Sequence, residues 1–141
     1  MTADEALDLI KTYAKRMDSI YGKTIFNEWS IISLTGNQGK ILAYAGPRRE
    51  DFQKNFSADL GALRSALLRA EHELGDFEFS RHGVGTLIEA FVAVGDGVFL
   101  TCNNTELTMN DITASPRWLS AQVVFVELSD KFCSNPVISP N

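Results

Sequence analysis

Trp29-Ser30-Ile31-Ile32-Ser33-Leu34 decides the fold of this chain. Successive residues of a strand point to opposite faces of a sheet, so adjacent isoleucines make both faces apolar. Such a strand belongs in the middle of a sheet covered on both sides. The turn-forming run Thr35-Gly36-Asn37-Gln38-Gly39 follows, and Ile41-Leu42-Ala43-Tyr44 then returns. Residues 29–34 and 40–45 therefore read as a hairpin.

Working outward, the N-terminal side is an amphipathic helix from Ala3 to Tyr21. Thr2 followed by Glu5 predicts a capping box. Leu7, Ile10, Ala14, Met17 and Tyr21 make one apolar stripe, with Lys11, Lys15 and Arg16 away from it. Gly22 is the expected C-terminal cap. Asp4, Glu5, Asp8 and Asp18 interrupt the basic character a membrane-surface helix would need, so this helix is expected to cover its own sheet.

On the C-terminal side, Gly46-Pro47 starts the longest predicted helix, which Gly75 ends. Phe52, Phe56, Leu60, Leu63, Leu67, Ala70 and Leu74 form its core stripe. Roughly across the wheel lie Ala58, Gly61, Ala62, Ser65 and Arg69. A solvent-facing surface is usually rich in Glu and Lys, and a mid-helix glycine costs about 1 kcal/mol relative to alanine. Small residues let a second helix approach closely, so this face reads as a contact surface.

Three strands follow: Phe77 to His82, Leu87 to Val94, and Val98 to Cys102, the last two joined by the turn Gly95-Asp96-Gly97. Leu87 to Val94 is apolar on both faces except for Glu89. A helical turn is expected from Thr108. Ser115-Pro116 then predicts the cap and first residue of a last helix. In it, Trp118, Ala121, Phe125, Leu128 and Phe132 recur at helical spacing, although Gln122 to Leu128 is strand-like in composition. Pro136 and Pro140 mark an expected frayed tail over 136–141. The sum is an α+β domain spanning 1–135. It is read as an α/β/α sandwich: a five-stranded antiparallel sheet with one long helix on one face and the N- and C-terminal helices on the other.

Composition bounds the function. The 141 residues are 45% hydrophobic and 22% charged, ordinary for one globular domain. A net charge of −5 provides no large positive field against phosphate, so nucleic acid is not an expected partner. The longest apolar runs, such as Val123-Val124-Phe125-Val126, are too short to span a bilayer, so no membrane insertion is expected. Cys102 and Cys133 are too few for a disulfide framework and lack metal-ligand spacing. The first residues are not of signal-peptide type, and the expected compartment is cytoplasmic, with reduced thiols.

Chemistry-bearing residues are sparse. His72 and His82 have no neighbouring ligand spacing, so no metal site and no cofactor are predicted. Cys102 with His82 is the only conceivable nucleophile–base pair, and Cys102 is more simply a buried strand residue. Glu89 inside an apolar strand has two readings, a functional acid or the partner of Arg81 or Arg117, and pairing is the commoner explanation. Gly83-Val84-Gly85 joins two strands instead of opening a helix, which excludes a dinucleotide loop. No catalytic residue is assigned, and the chain is not expected to be an enzyme.

The order helix, two strands, long helix, three strands, helix resembles the roadblock/dynein light-chain family, related to the longin and profilin-like folds. The likeness rests on Trp29-Ser30-Ile31-Ile32-Ser33-Leu34, Gly39-Lys40-Ile41-Leu42-Ala43, the long helix and the hairpin from Phe91 to Leu100. It runs from Thr2 to about Phe132, and the long 103–115 connection departs from it. The resemblance implies a homodimer or heterodimer joined through the long helix and the third-strand edge. It also implies a scaffold or regulator of small Ras-like GTPases without catalytic residues. The matching positions are Ala58, Gly61, Ala62, Ser65 and Arg69 on the helix, with Phe77, Phe79 and Arg81 on the edge strand. A small-molecule sensor domain of profilin-like fold is the alternative reading.

Overall fold

The computed structural model describes residues 1–35, 38–47, 49–54, 56, 78–82, 87–104 and 109–138. Their architecture is mixed α+β, built on an antiparallel sheet. Helix α1 (Ala3–Tyr21) starts as the sequence predicts: the Glu5 N–H donates to Thr2 Oγ1 at 3.1 Å and the Thr2 N–H to Glu5 Oε1 at 3.2 Å. Two amide groups at the helix start are thereby satisfied reciprocally. The helix stops at Gly22, whose φ of 69° is the left-handed conformation that glycine adopts without strain. Leu7, Ile10, Ala14, Met17 and Tyr21 are buried, whereas Lys11, Lys15 and Arg16 face solvent.

Strands β1 (Glu28–Thr35) and β2 (Gln38–Ala45) pair antiparallel. Strands β3 (Glu78–His82), β4 (Leu87–Gly95) and β5 (Val98–Asn104) complete the sheet in the order β2-β1-β5-β4-β3. β1 therefore lies inside the sheet, and Ile31 and Ile32 are both fully buried. Ile31 belongs to the larger core with α1 and the last helix, whereas Ile32 packs with Phe99, Ala93 and Phe56 in a second cluster. Between the two isoleucines the register jumps from Ile31↔Ala43 to Ile32↔Ile41, leaving Leu42 as the extra residue of a bulge.

After Gly46-Pro47, residues 49–54 and 56 are helical. Phe52 and Phe56, ring centroids 6.0 Å apart, belong to the Ile32 cluster. The rest of the predicted long helix, residues 57–75, lies outside the described residues, as does the turn at Gly83-Val84-Gly85. The β4–β5 turn uses Gly97 at φ 66°, and β4 lies between β3 and β5.

Helix α2 (Met109–Thr113) is the short turn expected from Thr108. Helix α3 (Trp118–Ser134) begins later than the Ser115-Pro116 signal predicts. Its first α-helical bond runs from the Ala121 N–H to the Arg117 carbonyl at 3.0 Å, making Arg117 the N-cap, without a side-chain capping bond. Ser115 instead holds a tight lead-in turn: its carbonyl accepts from the Trp118 N–H at 3.0 Å and its Oγ from the Arg117 N–H at 3.2 Å. The helical period prevails over strand-like composition because Ala121, Val124, Phe125, Leu128 and Phe132 are buried on one face. Val123 and Val126, which give the segment its strand-like look, are exposed.

The tail is not frayed through residue 138. Val137 is 2% exposed and its N–H donates to the Val94 carbonyl at 2.7 Å, while the Ile138 N–H donates to the Met1 carbonyl at 3.1 Å. Burial of an apolar side chain together with a hydrogen bond to β4 overcomes the disordering tendency of the flanking prolines. Gly95 makes room for it. A Cβ at that position would lie 2.1 Å from the Val137 carbonyl oxygen.

Two expected outcomes follow from this packing. Gly95→Ala forces the tail off the sheet and lowers unfolding stability by about 1–3 kcal/mol, measured by urea titration. Tyr21 donates its hydroxyl to the Ile112 carbonyl at 3.0 Å, and burial raises its phenol above the ordinary tyrosine range. The folded state thus holds this proton more tightly than the unfolded chain. Its contribution is complete below about pH 10 and is lost as the pH climbs through the raised folded value. Tyr21→Phe should flatten that alkaline loss in denaturation measured from pH 8 to 11, and an unchanged profile would count against it.

Candidate functional site

The described residues bring together two distinct features, one on each side of the sheet. The first is a buried polar network that local sequence patterns do not announce. Glu28, at the start of β1, is 1% exposed. Its Oε2 accepts from the Tyr44 hydroxyl at 2.6 Å and its Oε1 from Asn103 Nδ2 at 3.1 Å. These partners come from β2 and β5, the two strands that flank β1. Two rungs further along, the hydroxyls of Ser30 and Thr101 hydrogen-bond each other.

The network extends into the helical residues after Pro47. Arg49 Nη2 donates to the Tyr44 carbonyl at 3.0 Å, and the guanidinium carbon lies 5.3 Å from the centre of the Tyr44 ring. The Tyr44 and Phe52 rings lie 5.0 Å apart. Gly46 fits against the pair because it has no side chain: a Cβ there would lie 2.8 Å from Tyr44 Oη and 3.0 Å from Glu28 Cγ. A carboxylate taken out of water needs such donors. With each oxygen accepting from a neighbouring strand and the residue buried, Glu28 ties β1 to β2 and β5.

The second feature lies between α1 and α3, over β1 and β5. It is a shallow apolar groove open to solvent. Tyr13, Met17, Trp29, Cys102, Phe125 and Leu128 are among its lining residues. Arg16 of α1 and Glu127 of α3 form an ion pair across the same seam. Each is one helical step from the lining: Arg16 stands between Tyr13 and Met17 in the sequence of α1, and Glu127 between Val124 and Leu128 in that of α3. The Arg16 guanidinium also lies 5.2 Å from the centre of the Tyr13 ring. The hydrogen bond from Arg16 holds Glu127 below the usual carboxylate range, and Lys131 adds a smaller pull in the same direction.

The residues singled out from sequence are distributed unevenly over these features. Ala58, Gly61, Ala62, Ser65, Arg69, His72 and Phe77 lie outside the described residues. Phe79 and Arg81 fall in β3, the last strand of the sheet order. Cys102 is buried, as expected for a strand residue, and stands opposite Trp29 and Ala90. His82 stands opposite Leu87, and the register gives it no shared rung with Cys102. Glu89 stands opposite Asn103 and Ser80, and its side chain lies outside the described parts. Of its two proposed partners, Arg81 stands opposite Ile88, and Arg117 Nη1 donates to the Tyr21 carbonyl at 3.5 Å.

Sequence reasoning missed Glu28 and the Arg16–Glu127 pair. Glu28 sits directly before the Trp29–Leu34 run and reads as the polar lead-in to a strand. Only the sheet pairing reveals that Tyr44 and Asn103 close over it. Among the described residues, no group of three His, Cys, Asp or Glu side chains could hold a metal ion, and no helix is long and apolar enough to cross a membrane.

Comparison with known proteins found no family model and no curated protein that matches this chain.

Removing the phenolic hydroxyl that caps Glu28 tests the importance of the network. Tyr44→Phe deletes one donor to a buried carboxyl group and is expected to cost about 1–3 kcal/mol in denaturant unfolding. A loss within error of zero would show that the network is not a strand clamp.

Proposed function

We propose that this chain is a non-catalytic dimerising scaffold or regulator module of roadblock-like type, acting in the cytoplasm and binding a small Ras-like GTPase. The observation that carries the reading is the place of β3 at the end of the strand order. Among the described residues, no strand lies beyond it, and an open strand edge is a surface on which another chain can pair. The element order supports the resemblance: α1, a hairpin, the beginning of a helix, a three-strand meander and a final helix.

In this reading the architecture is a five-stranded α/β/α sandwich, with α1 and α3 on one face and the long helix on the other. Packing of Phe52 and Phe56 against Ile32 and Phe99 supports the position of the long helix at its start. A helix that continues with that phase directs Ala58, Gly61, Ala62, Ser65 and Arg69 away from the sheet. Phe77, Phe79 and Arg81 then provide the strand edge beside it. Two copies related by a two-fold axis would join the helices and the edges simultaneously.

A second reading, a small-molecule sensor, is favoured by one observation, the apolar groove between α1 and α3. Clefts between helices and a sheet, lined by aromatic side chains, are common ligand sites. The two readings are compatible in one domain, since the groove and the β3 edge belong to different parts of the sheet.

Analytical ultracentrifugation at micromolar concentration tests the dimer. The expected result is a sedimenting species of twice the chain mass, which Ala62→Glu converts to monomer while leaving the circular dichroism spectrum unchanged. A wild-type chain that remains monomeric throughout would falsify the scaffold reading.

A further inference from the structure

We propose that two copies of this chain pair antiparallel through β3 with the two-fold axis at Ser80, so that Glu78 of each copy stands opposite the partner's His82. The inference rests on the dimer reading given above and specifies its register. The sheet order ends in two strands, β2 and β3, and they differ as edges. β2 has the bulge at Leu42 and the exposed Lys40. A bulge and a lysine are two of the devices that keep an edge strand from pairing with another chain. β3 instead pairs with β4 through five consecutive residues without a register shift, from Glu78↔Phe91 to His82↔Leu87. Among the described residues its other side has no strand, so β3 is the regular edge that a further strand can follow.

The sequence of β3 is also matched to itself. When a strand pairs with its own copy across a two-fold axis perpendicular to the sheet, opposite residues share a face, so the axis falls on a residue position. Only the choice of that residue remains. Glu78-Phe79-Ser80-Arg81-His82 is centred on Ser80, and an axis there gives all five residues an opposite number, whereas an axis at Phe79 or Arg81 engages three. It sets Glu78 opposite the partner's His82 and Phe79 opposite the partner's Arg81, each twice by symmetry, with Ser80 opposite its own copy. Cross-strand pairs of opposite charge, of arginine with an aromatic ring and of two hydroxyls are all favourable. An axis at Arg81 brings two guanidinium groups together, and like charges directly opposite are destabilising. An axis at Phe79 leaves Glu78 opposite a serine and carries His82 past the end of the partner strand.

Cross-linking and sedimentation of the full chain test the register. A Cys133→Ser background removes the exposed thiol. In it, Ser80→Cys is expected to give a disulfide-linked dimer under mild oxidation, because directly opposite strand residues lie within disulfide reach. Glu78→Cys, four residues or roughly 13 Å from its own copy in this register, should not. Glu78→Lys and His82→Glu each remove the match and should raise the dimer dissociation constant roughly tenfold. The double variant Glu78→Lys/His82→Glu exchanges the charges and should restore the dimer, which damage to the strand itself does not predict. Lys40→Glu, on the β2 edge, should leave the dimer unchanged. A dimer that the double variant fails to restore, or that cross-links through Glu78→Cys and not through Ser80→Cys, overturns the register while leaving the dimer reading intact. A wild-type chain that stays monomeric overturns both.

Discussion

The two-sided burial of β1 is the constraint on which the remainder of the structure depends. Ile31 and Ile32 are both removed from water, and they feed different cores: one under α1 and α3, the other with Phe52, Phe56 and Phe99. A strand with two dry faces cannot occupy an edge or stand alone with one covering layer. It requires partners on both sides and cover above and below. β2 and β5 provide the first. The helices α1 and α3 provide cover on one face, and the helical residues after Pro47 provide it at the Ile32 cluster. The bulge at Leu42 lies at this same point, where the sheet changes register between the two isoleucines.

Burying β1 also commits its first residue. Glu28 precedes the apolar run and is carried into the interior with it, where an unaccompanied carboxyl group is costly. Tyr44 and Asn103 answer from the two neighbouring strands, and Gly46 leaves the space they need. The network therefore reports correct pairing of three strands at once: a shift of β2 or β5 by one residue turns its donor to the other face. Its value lies in specifying register, in keeping with its closed geometry.

Much of this fold is legible in the sequence because the signals are local. The Thr2–Glu5 capping box, the Gly22 cap, the α1 stripe and the adjacent isoleucines each depend on residues a few positions apart, and each is found as read. What escaped reading is non-local or is decided by competition. Glu28 gives no local clue because its partners are supplied by pairing across β2 and β5. Ser115-Pro116 has the composition of a helix start, yet the Ser115 carbonyl is taken by a tight turn and the helix begins at Trp118. Pro136 signals an end to order, whereas Val137, its neighbour, gains burial and a hydrogen bond to β4. The seam between α1 and α3 combines Arg16 with Glu127, and no sequence spacing connects them.

The strand order also bears on how the chain reaches this state. β1 with β2, and β4 with β3 and β5, are pairings between strands consecutive in the chain. Among the described residues, the β1–β5 strand pairing alone crosses from the first part of the chain to the last, from Ser33↔Val98 to Glu28↔Asn103. Local hairpins form quickly, whereas closing a long loop is entropically slow. The topology thus joins a hairpin, β1–β2, to a meander, β3–β4–β5, along one central seam, and the isoleucine strand is the surface on which they meet.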